Sequence, residues 1–130
     1  MGRRILVVED DEPTRALIEL VLKEGGYRVE QAIDGLEALE KVKALAPDAI
    51  ILDRTLPRLS GTEFAEAYRA LPGDHAPIVA MCAGVDAPDW ASAIGAAAYI
   101  GKPFAIDDLI AAVTTALAMS ATPTREPAAT

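Results

Sequence analysis

Residues 48–53 read DAIILD, in which four consecutive apolar residues are followed by an aspartate, Asp53. A strand without polar alternation is buried on both faces, which is typical of a strand inside a parallel sheet. Four more short runs predict strands along the chain: 3–8 (RRILVV), 27–32 (YRVEQA), 77–82 (PIVAMC) and 98–101 (AYIG). The chain therefore contains five predicted strands, and DAIILD is the third of them.

Longer amphipathic runs follow the strands and predict helices. These runs cover residues 12–26, 35–47, 62–73, 86–96 and 105–118, and the fourth is short and weak. Strands that alternate with helices in this way indicate an α/β fold, a doubly wound (βα)5 arrangement around a parallel five-stranded sheet. Residues 1–118 form the predicted domain. Residues 119–130 lack apolar periodicity and are predicted to be a flexible C-terminal tail or the start of a linker.

The apolar positions also predict which side of a helix faces the sheet. They recur at spacings of three and four residues, as one face of an α-helix does. In the first helix the predicted inward residues are Ala16, Leu17, Leu20 and Val21. In the last helix they are Ile106, Leu109, Ile110, Val113 and Leu117.

Length, composition and charge restrict the classes of function. The chain has 130 residues, of which 52% are hydrophobic and 25% charged, a composition typical of one globular domain. Its net charge of −8 repels nucleic acids and anionic membranes, so direct binding to either is not expected. A single cysteine, Cys82, excludes an internal disulfide, and the apolar run 5–8 is too short for a secretory signal or a membrane span. The predicted location is the cytoplasm.

Polar residues stand where several of the predicted strands end. Glu9, Asp10 and Asp11 follow the first strand, Asp53 ends the third, and Lys102 follows the fifth. In doubly wound folds, ligands bind beyond the carboxyl ends of the strands, at the point where the strand order reverses. Acids crowded at such an edge repel one another, and Mg²⁺ suits a few carboxylates together with water and a phosphate oxygen. Asp11 or the residue after it has the alternative role of capping the first helix.

Three segments of the chain carry a resemblance to a known family. RRILVVEDDEPTR (3–15), PDAIILDRTLPRLSG (47–61) and GKPF (101–104) closely resemble the receiver domain of two-component response regulators, and the likeness covers about residues 3–118. The resemblance implies a flavodoxin-like receiver fold. It also implies that the domain accepts a phosphoryl group from a sensor histidine kinase or a phosphotransfer protein and relays the signal by a conformational change.

The resemblance further implies roles for individual residues. Asp53 corresponds to the phosphoryl acceptor, and Lys102 corresponds to the lysine that contacts the phosphoryl oxygens. Glu9 and Asp10 correspond to the acidic pair that holds Mg²⁺, and Asp53 and the backbone carbonyl of Thr55 complete the protein ligands. Such a domain assists its own phosphorylation and is not a turnover enzyme.

Two further positions concern the response to phosphorylation. In receivers, a Ser or Thr at the end of the fourth strand donates a hydrogen bond to the new phosphoryl oxygen, and an aromatic residue on the fifth strand follows its movement. Cys82 and Tyr99 occupy these positions here. Because a thiol is a weak donor, we expect phosphorylation to survive and the switch to be weakened. A redox role for Cys82 is the alternative, although the neighbouring carboxylates oppose a reactive thiolate.

Two other functions compete with this prediction. One is a receiver-like interaction module that works without phosphate, as a homodimer or with an effector, through the surface from Trp90 to Tyr99. The other is a Mg²⁺-dependent phosphatase of the haloacid dehalogenase type, which needs a second acid two residues after its nucleophile. Thr55 stands at that position, so the sequence argues against the phosphatase. The cognate kinase, the output, the oligomeric state and the choice between a stand-alone regulator and a fragment of one stay open.

Overall fold

The computed structural model describes the backbone of residues 2–129 and the side chains of residues 2–119. Strands and helices alternate along the chain, and each of them lies where the sequence predicts one. The strands are β1 (Arg4–Val8), β2 (Arg28–Ala32), β3 (Ala49–Asp53), β4 (Ile78–Ala83) and β5 (Ala98–Lys102). The helices are α1 (Glu12–Glu24), α2 (Gly35–Leu45), α3 (Gly61–Ala70), α4 (Ala87–Ile94) and α5 (Ile106–Ala129).

The five strands are parallel and form one sheet in the order β2-β1-β3-β4-β5. Helices pack on both faces, so the predicted doubly wound (βα)5 fold is confirmed. The strand order reverses between β1 and β3, because the chain first adds β2 on one side and then places β3 on the other. The carboxyl ends of β1 and β3 therefore flank the crevice in which ligands bind in this class of fold.

The core consists of two layers, one on each face of the sheet. Successive residues of a strand point to opposite faces, so Ile50 and Leu52 lie in one layer and Ile51 lies in the other. The first layer packs against α2, α3 and α4, and the second packs against α1 and α5. Because both faces of β3 are covered, all its residues are buried, which explains the uninterrupted apolar run in its sequence.

The structure corrects the predicted inward face of α1. Ile18 and Leu22 are fully buried, whereas Leu17 and Leu20 keep 41% and 57% of their surface exposed. Leu17 and Leu20 are three residues apart, and Ile18 and Leu22 are four apart. Both spacings are helical, so the apolar pattern fits either pair as the buried side of the helix. Packing against β1 and β2 decides which pair is buried, because Ile18 and Leu22 belong to the second core layer.

The predicted inward face of α5 is confirmed only in part. Leu109, Val113 and Leu117 are buried, whereas Ile106 and Ile110 are nearly half exposed. Among residues 106–119, the part of α5 whose side chains are described, the other buried positions are alanines, Ala112 and Ala116.

The helix α5 continues to Ala129, past residue 118, where the sequence pattern predicts its end. The side chains of residues 120–130 lie outside the described part of the chain. The division into a domain of residues 1–118 and a tail of residues 119–130 therefore stays a prediction. Among the described residues, no helix is both long enough and apolar enough to span a membrane.

Gly101, which precedes Lys102 in β5, lies against the loop after β4. A Cβ atom at residue 101 would lie 2.4 Å from the Cα atom of Gly84, a backbone contact that no side-chain rotation relieves. We expect Gly101→Ala to lower the free energy of unfolding, measured with urea, by at least about 2 kcal/mol. Gly84→Ala is the matched control, since its Cβ atom would lie 3.8 Å from Gly101, and we expect a change below about 0.5 kcal/mol. Equal effects of the two substitutions would contradict this close approach.

Candidate functional site

Three carboxylates meet at the carboxyl ends of β1 and β3. Glu9 and Asp53 are buried, Asp10 is exposed, and one carboxylate oxygen from each lies within 4.8 Å of the others. Parallel pairing of β1 with β3 aligns the ends of these strands, which brings residues distant in sequence together. The structure therefore groups three of the four acids that the sequence placed at this edge of the sheet.

Asp11 lies beside this cluster and caps α1. Its carboxylate accepts hydrogen bonds from the backbone N of Thr14 at 3.1 Å and from the Thr14 hydroxyl at 2.5 Å. The backbone N of Asp11 donates in turn to Oε2 of Glu9 at 3.0 Å, and this bond orients the glutamate. The capping role that the sequence offered for Asp11 is confirmed.

Lys102 supplies the positive charge of the site from the end of β5. Its Nζ atom lies 2.8 Å from Oε1 of Glu9 and 3.1 Å from Oδ1 of Asp53. Partial burial lowers the pKa of Lys102, but its interactions with Glu9 and Asp53 raise that pKa by more, so the net shift is upward. The amine therefore stays charged at neutral pH. The peptide bond between Lys102 and Pro103 is cis.

Asp53 is held in an environment that disfavours its negative charge. Burial, followed by repulsion from Glu9, raises the pKa of Asp53 to about 6, although the attraction of Lys102 acts in the opposite direction. A shortage of positive charge adds to the effect of burial, because one ammonium group faces three carboxylates. An added cation at the carboxylate oxygens would lower this pKa and stabilise the ionised site.

The residues of the cluster fit a divalent cation that prefers oxygen ligands. Oε1 of Glu9 is buried and accepts no hydrogen bond of normal geometry, so it depends on the ion pair with Lys102. Asp10 is exposed and extends the set of oxygens towards solvent, where water ligands have access. Mg²⁺ takes such a set of a few carboxylates and several waters. The fit supports Glu9, Asp10 and Asp53 as metal ligands, which stay a prediction.

Arg15 is a residue of the site that the sequence analysis missed. Its Nη1 atom donates to the backbone carbonyl of Glu9 at 2.9 Å and approaches that of Asp10 at 3.4 Å. Its Nε atom donates to the side chain of Gln31 in β2 at 3.0 Å. Arg15 thus holds the backbone of the acidic pair from the side of α1. The available signal was a basic residue one turn into the helix that follows the acids.

The loop after β3 carries Thr55, which is exposed two residues beyond Asp53. The role of its backbone carbonyl as a metal ligand stays a prediction. An ion pair connects this loop to α2: Nε of Arg58 lies 3.0 Å from Oδ2 of the buried Asp34. The sequence did not indicate this contact. Asp34 also caps α2 by accepting from the backbone N of Glu37 at 2.8 Å. The loop that follows Asp53 is therefore connected to a second helix.

Cys82 lies near the end of β4 and is buried in the first core layer. Its thiol donates a weak hydrogen bond to the backbone carbonyl of Ala83 at 3.6 Å. Burial raises the pKa of the thiol, and the guanidinium of Arg54 offsets this effect only in part. A buried thiol with a raised pKa forms little thiolate, so the structure argues against the redox alternative for Cys82.

The predicted interaction surface from Trp90 to Tyr99 is a surface only in part. Tyr99 is half exposed on β5 and lines an open groove between α4 and α5, which Ala111 also lines. Trp90 is only 4% exposed, and its Nε1 atom donates to Oγ1 of Thr62 at 2.9 Å. The expectation that Trp90 contributes to this surface is wrong, because α4 directs the indole inward against α3.

The strand order and the buried aspartate at the reversal point define an α/β domain of the receiver type. The sequence matches the family described as "Response regulator receiver domain" over residues 5–114, a range that includes Glu9, Asp53 and Lys102. The chain belongs to this family, and the resemblance found in its three motifs is confirmed.

Named relatives and solved structures are similar to this chain. The response regulator MprA of Mycobacterium ulcerans (strain Agy99) is 41% identical over 113 residues, which are 85% of this chain and 48% of that protein. The chain spans about half the length of the curated relatives it matches.

Two crystal structures share the fold. A putative response regulator from Chloroflexus aurantiacus J-10-fl has a TM-score of 0.85 at 33% identity, covering 91% of this chain and 99% of that one. The receiver domain of the sensor histidine kinase PA1611 from Pseudomonas aeruginosa PAO1 has a TM-score of 0.82 at 30% identity, with the same coverage of 91% and 99%. That domain has a magnesium ion coordinated in its active-site cleft.

Proposed function

We propose that this receiver domain accepts a phosphoryl group on Asp53, in the presence of Mg²⁺, from a sensor histidine kinase or a phosphotransfer protein. The observation that carries the proposal is the environment of the Asp53 carboxylate. It is buried at the end of β3, 3.1 Å from Nζ of Lys102 and within 4.8 Å of oxygens of Glu9 and Asp10. A nucleophile, a fixed ammonium group and a cation-binding acidic pair are the parts that phosphoryl transfer requires.

Transfer from a phosphohistidine forms one bond and breaks another. A carboxylate oxygen of Asp53 attacks phosphorus, an O–P bond forms, and the N–P bond breaks with its electron pair left on the donor imidazole. Lys102 stabilises the negative charge on the phosphoryl oxygens. Mg²⁺, when held by Glu9, Asp10, Asp53 and the carbonyl of Thr55, supplies further neutralisation of that charge. The product is an acyl phosphate on the chain itself, so the domain assists its own modification and is not a turnover enzyme.

The partners and the location are part of the proposal. The phosphoryl donor is a histidine kinase or a phosphotransfer protein, which membership of the response regulator family supports. The net charge of −8 makes direct binding of nucleic acid or an anionic membrane by this domain unfavourable. We place the reaction in the cytoplasm, where ATP provides the phosphoryl group that the kinase transfers.

A second candidate function is a receiver-like module that binds a second copy or an effector without phosphate. The open groove between α4 and α5, with Tyr99 at its edge, is the observation that favours it. The buried thiol of Cys82 also favours it, because that position lacks the hydroxyl that reports phosphorylation in receivers. An adduct on Asp53 that leaves the NMR signals of Tyr99 unchanged would support this second candidate.

The test of the proposed function is a Mg²⁺-dependent adduct. With acetyl phosphate and Mg²⁺, intact mass should show one phosphoryl group per chain, and EDTA should prevent its addition. Asp10→Asn should raise the Mg²⁺ concentration required by about tenfold or more, because a contact to a charged group is worth about 1.5–3 kcal/mol. Glu66→Gln, at an exposed acid on α3, is the matched control and should behave as the wild type.

Two results would contradict the proposal. One is a wild-type chain that stays unmodified at saturating Mg²⁺ and acetyl phosphate. The other is continuous release of phosphate from a phosphate ester, which would indicate the phosphatase instead.

A further inference from the structure

We infer that Arg54 binds the phosphoryl group on Asp53 and supplies the donor that Cys82 lacks. The inference rests on the proposed function, because it concerns the phosphorylated site. The backbone of Arg54 is fixed on two sides: its N donates to the carbonyl of Met81 in β4 at 3.0 Å, and its carbonyl accepts from the N of Gly61 in α3 at 2.9 Å. The base of this side chain is therefore anchored beside the acceptor, while the residue remains exposed.

The guanidinium group of Arg54 lies near Trp90 of α4 and Cys82 of β4. Its Cζ atom is 5.9 Å from the centroid of the Trp90 ring. It is also close enough to Cys82 to oppose the effect of burial on the pKa of that thiol. Among the described residues, no carboxylate oxygen lies within 4.0 Å of an Arg54 nitrogen atom, so its charge has no ion-pair partner.

A phosphoryl group on Asp53 would change the balance of these contacts. It brings a charge of about −1.5 to −2 and three strong acceptor oxygens. The planar fork of an arginine binds such a group through paired hydrogen bonds. The contact with the ring of Trp90 is weaker at an exposed site, and the thiol of Cys82 is a poor donor. We therefore expect the guanidinium to leave Trp90 and to bind the phosphoryl oxygens.

Trp90 connects this movement to α4. The indole is buried and is held by its hydrogen bond to Thr62 at 2.9 Å. A Cβ atom on Gly61 would lie 2.9 Å from the Cα atom of Arg54 and 3.0 Å from Cη2 of Trp90, so these residues pack tightly. Departure of the guanidinium changes the environment of Trp90, and this change does not require a hydroxyl group at residue 82. Phosphorylation thereby reaches α4 by a route that the thiol does not weaken.

Beryllofluoride, a phosphoryl analogue for acceptor aspartates, is the probe for this inference. Trp90 is the only tryptophan of the chain, so its fluorescence reports on one position. Arg54→Met removes the charge at similar size, and Arg54→Lys keeps the charge without the planar fork. Arg28→Met is the matched control, because Arg28 is an exposed arginine at the start of β2, at the end of the sheet away from the site.

Wild-type protein with Mg²⁺ should show a change in Trp90 fluorescence on addition of beryllofluoride. Arg54→Met should lose most of that change and require at least about tenfold more beryllofluoride for half saturation. Arg54→Lys should lie between the two, and Arg28→Met should match the wild type within about twofold. Cys82→Thr in the Arg54→Met background adds a hydroxyl donor and should recover part of the lost affinity.

Equal half saturation and equal fluorescence changes in Arg54→Met and the wild type would overturn the inference. The proposed function would survive that result if acetyl phosphate still added one phosphoryl group to both proteins. A wild-type chain that forms no adduct at all would overturn the proposed function, and the role of Arg54 with it. Urea unfolding of each variant shows that a lost response does not come from a lost fold.

Discussion

Asp53→Asn should prevent phosphorylation and, without metal, make the fold more stable. Asparagine keeps the shape of the side chain but has no nucleophilic carboxylate, so intact mass should show no adduct with acetyl phosphate. The substitution also removes a buried negative charge that burial and the neighbouring Glu9 both disfavour. The wild-type protein thus keeps an unfavourable charge at the position where the proposed phosphoryl transfer requires one.

The size and the pH dependence of this stabilisation follow from the pKa of Asp53. Burial and Glu9 raise it from 3.8 to about 6. The folded protein therefore binds this proton more tightly than the unfolded chain does, so the wild-type fold loses stability as the pH rises from about 4 through about 6. At about 1.4 kcal/mol per pKa unit, the loss above that range approaches about 3 kcal/mol, and Asp53→Asn removes it.

Urea unfolding in EDTA measures this prediction. The gain of Asp53→Asn over the wild type should be largest near pH 8 and should shrink towards pH 4, where the wild-type carboxyl is also neutral. Asp74→Asn, at an exposed acid between α3 and β4, is the control and should change the free energy of unfolding by less than about 0.5 kcal/mol. If Asp53→Asn were less stable than the wild type at pH 8, the ion pair with Lys102 would outweigh the repulsion from Glu9, against our expectation.

Lys102→Met should destabilise the metal-free protein. The amine of Lys102 contacts Glu9 at 2.8 Å and Asp53 at 3.1 Å, so its removal leaves two buried carboxylates facing each other without a cation. Removal of one partner from a buried ion pair costs about 3–5 kcal/mol. Because the Lys102 side chain is 32% exposed, solvent reduces this cost, and we expect a loss of about 2–3 kcal/mol near neutral pH.

Acid and Mg²⁺ should each restore part of the stability of Lys102→Met. Protonation of Asp53, whose pKa burial and Glu9 raise to about 6, removes its repulsion with Glu9, and a cation bound to the carboxylate oxygens neutralises that repulsion. The rate of adduct formation should nevertheless stay about a hundredfold below the wild-type rate, because a fixed donor to the transferred group is missing. Lys43→Met, on the exposed side of α2, is the control for both measurements. A Lys102→Met protein with wild-type stability in EDTA would refute the assigned charge balance.

Most of the fold was predictable because the sequence patterns that specify strands, helices and helix caps involve residues close together in the chain. An uninterrupted apolar run such as residues 49–52 requires cover on both faces, and that requirement leads to a parallel sheet with helices on each side. Parallel strands place their carboxyl ends at one edge, so Glu9, Asp53 and Lys102 were expected at the same edge of the sheet, and the strand order then brought them into contact. The capping role of Asp11 was readable for the same reason, since a cap and its partner lie three residues apart.

Contacts between distant segments were not readable in the same way. Arg15 reaches the carbonyl of Glu9, Arg58 reaches Asp34, and no pattern within either segment specifies the partner. The apolar residues of α1 form two adjacent stripes, and burial of Ile18 instead of Leu17 depends on the rotation of the helix against the sheet.

The sequence by itself therefore determined the class of fold, the edge of the sheet that carries the site, and the acids and the lysine that meet there. Only the tertiary structure decided that Trp90 is buried against α3 and that the guanidinium of Arg54 rests on its ring. The physical reason is the range of the interactions. Strand and helix patterns follow from neighbours within a few residues, whereas the rotation of a helix and the partner of a long side chain are fixed by packing between elements far apart in the chain.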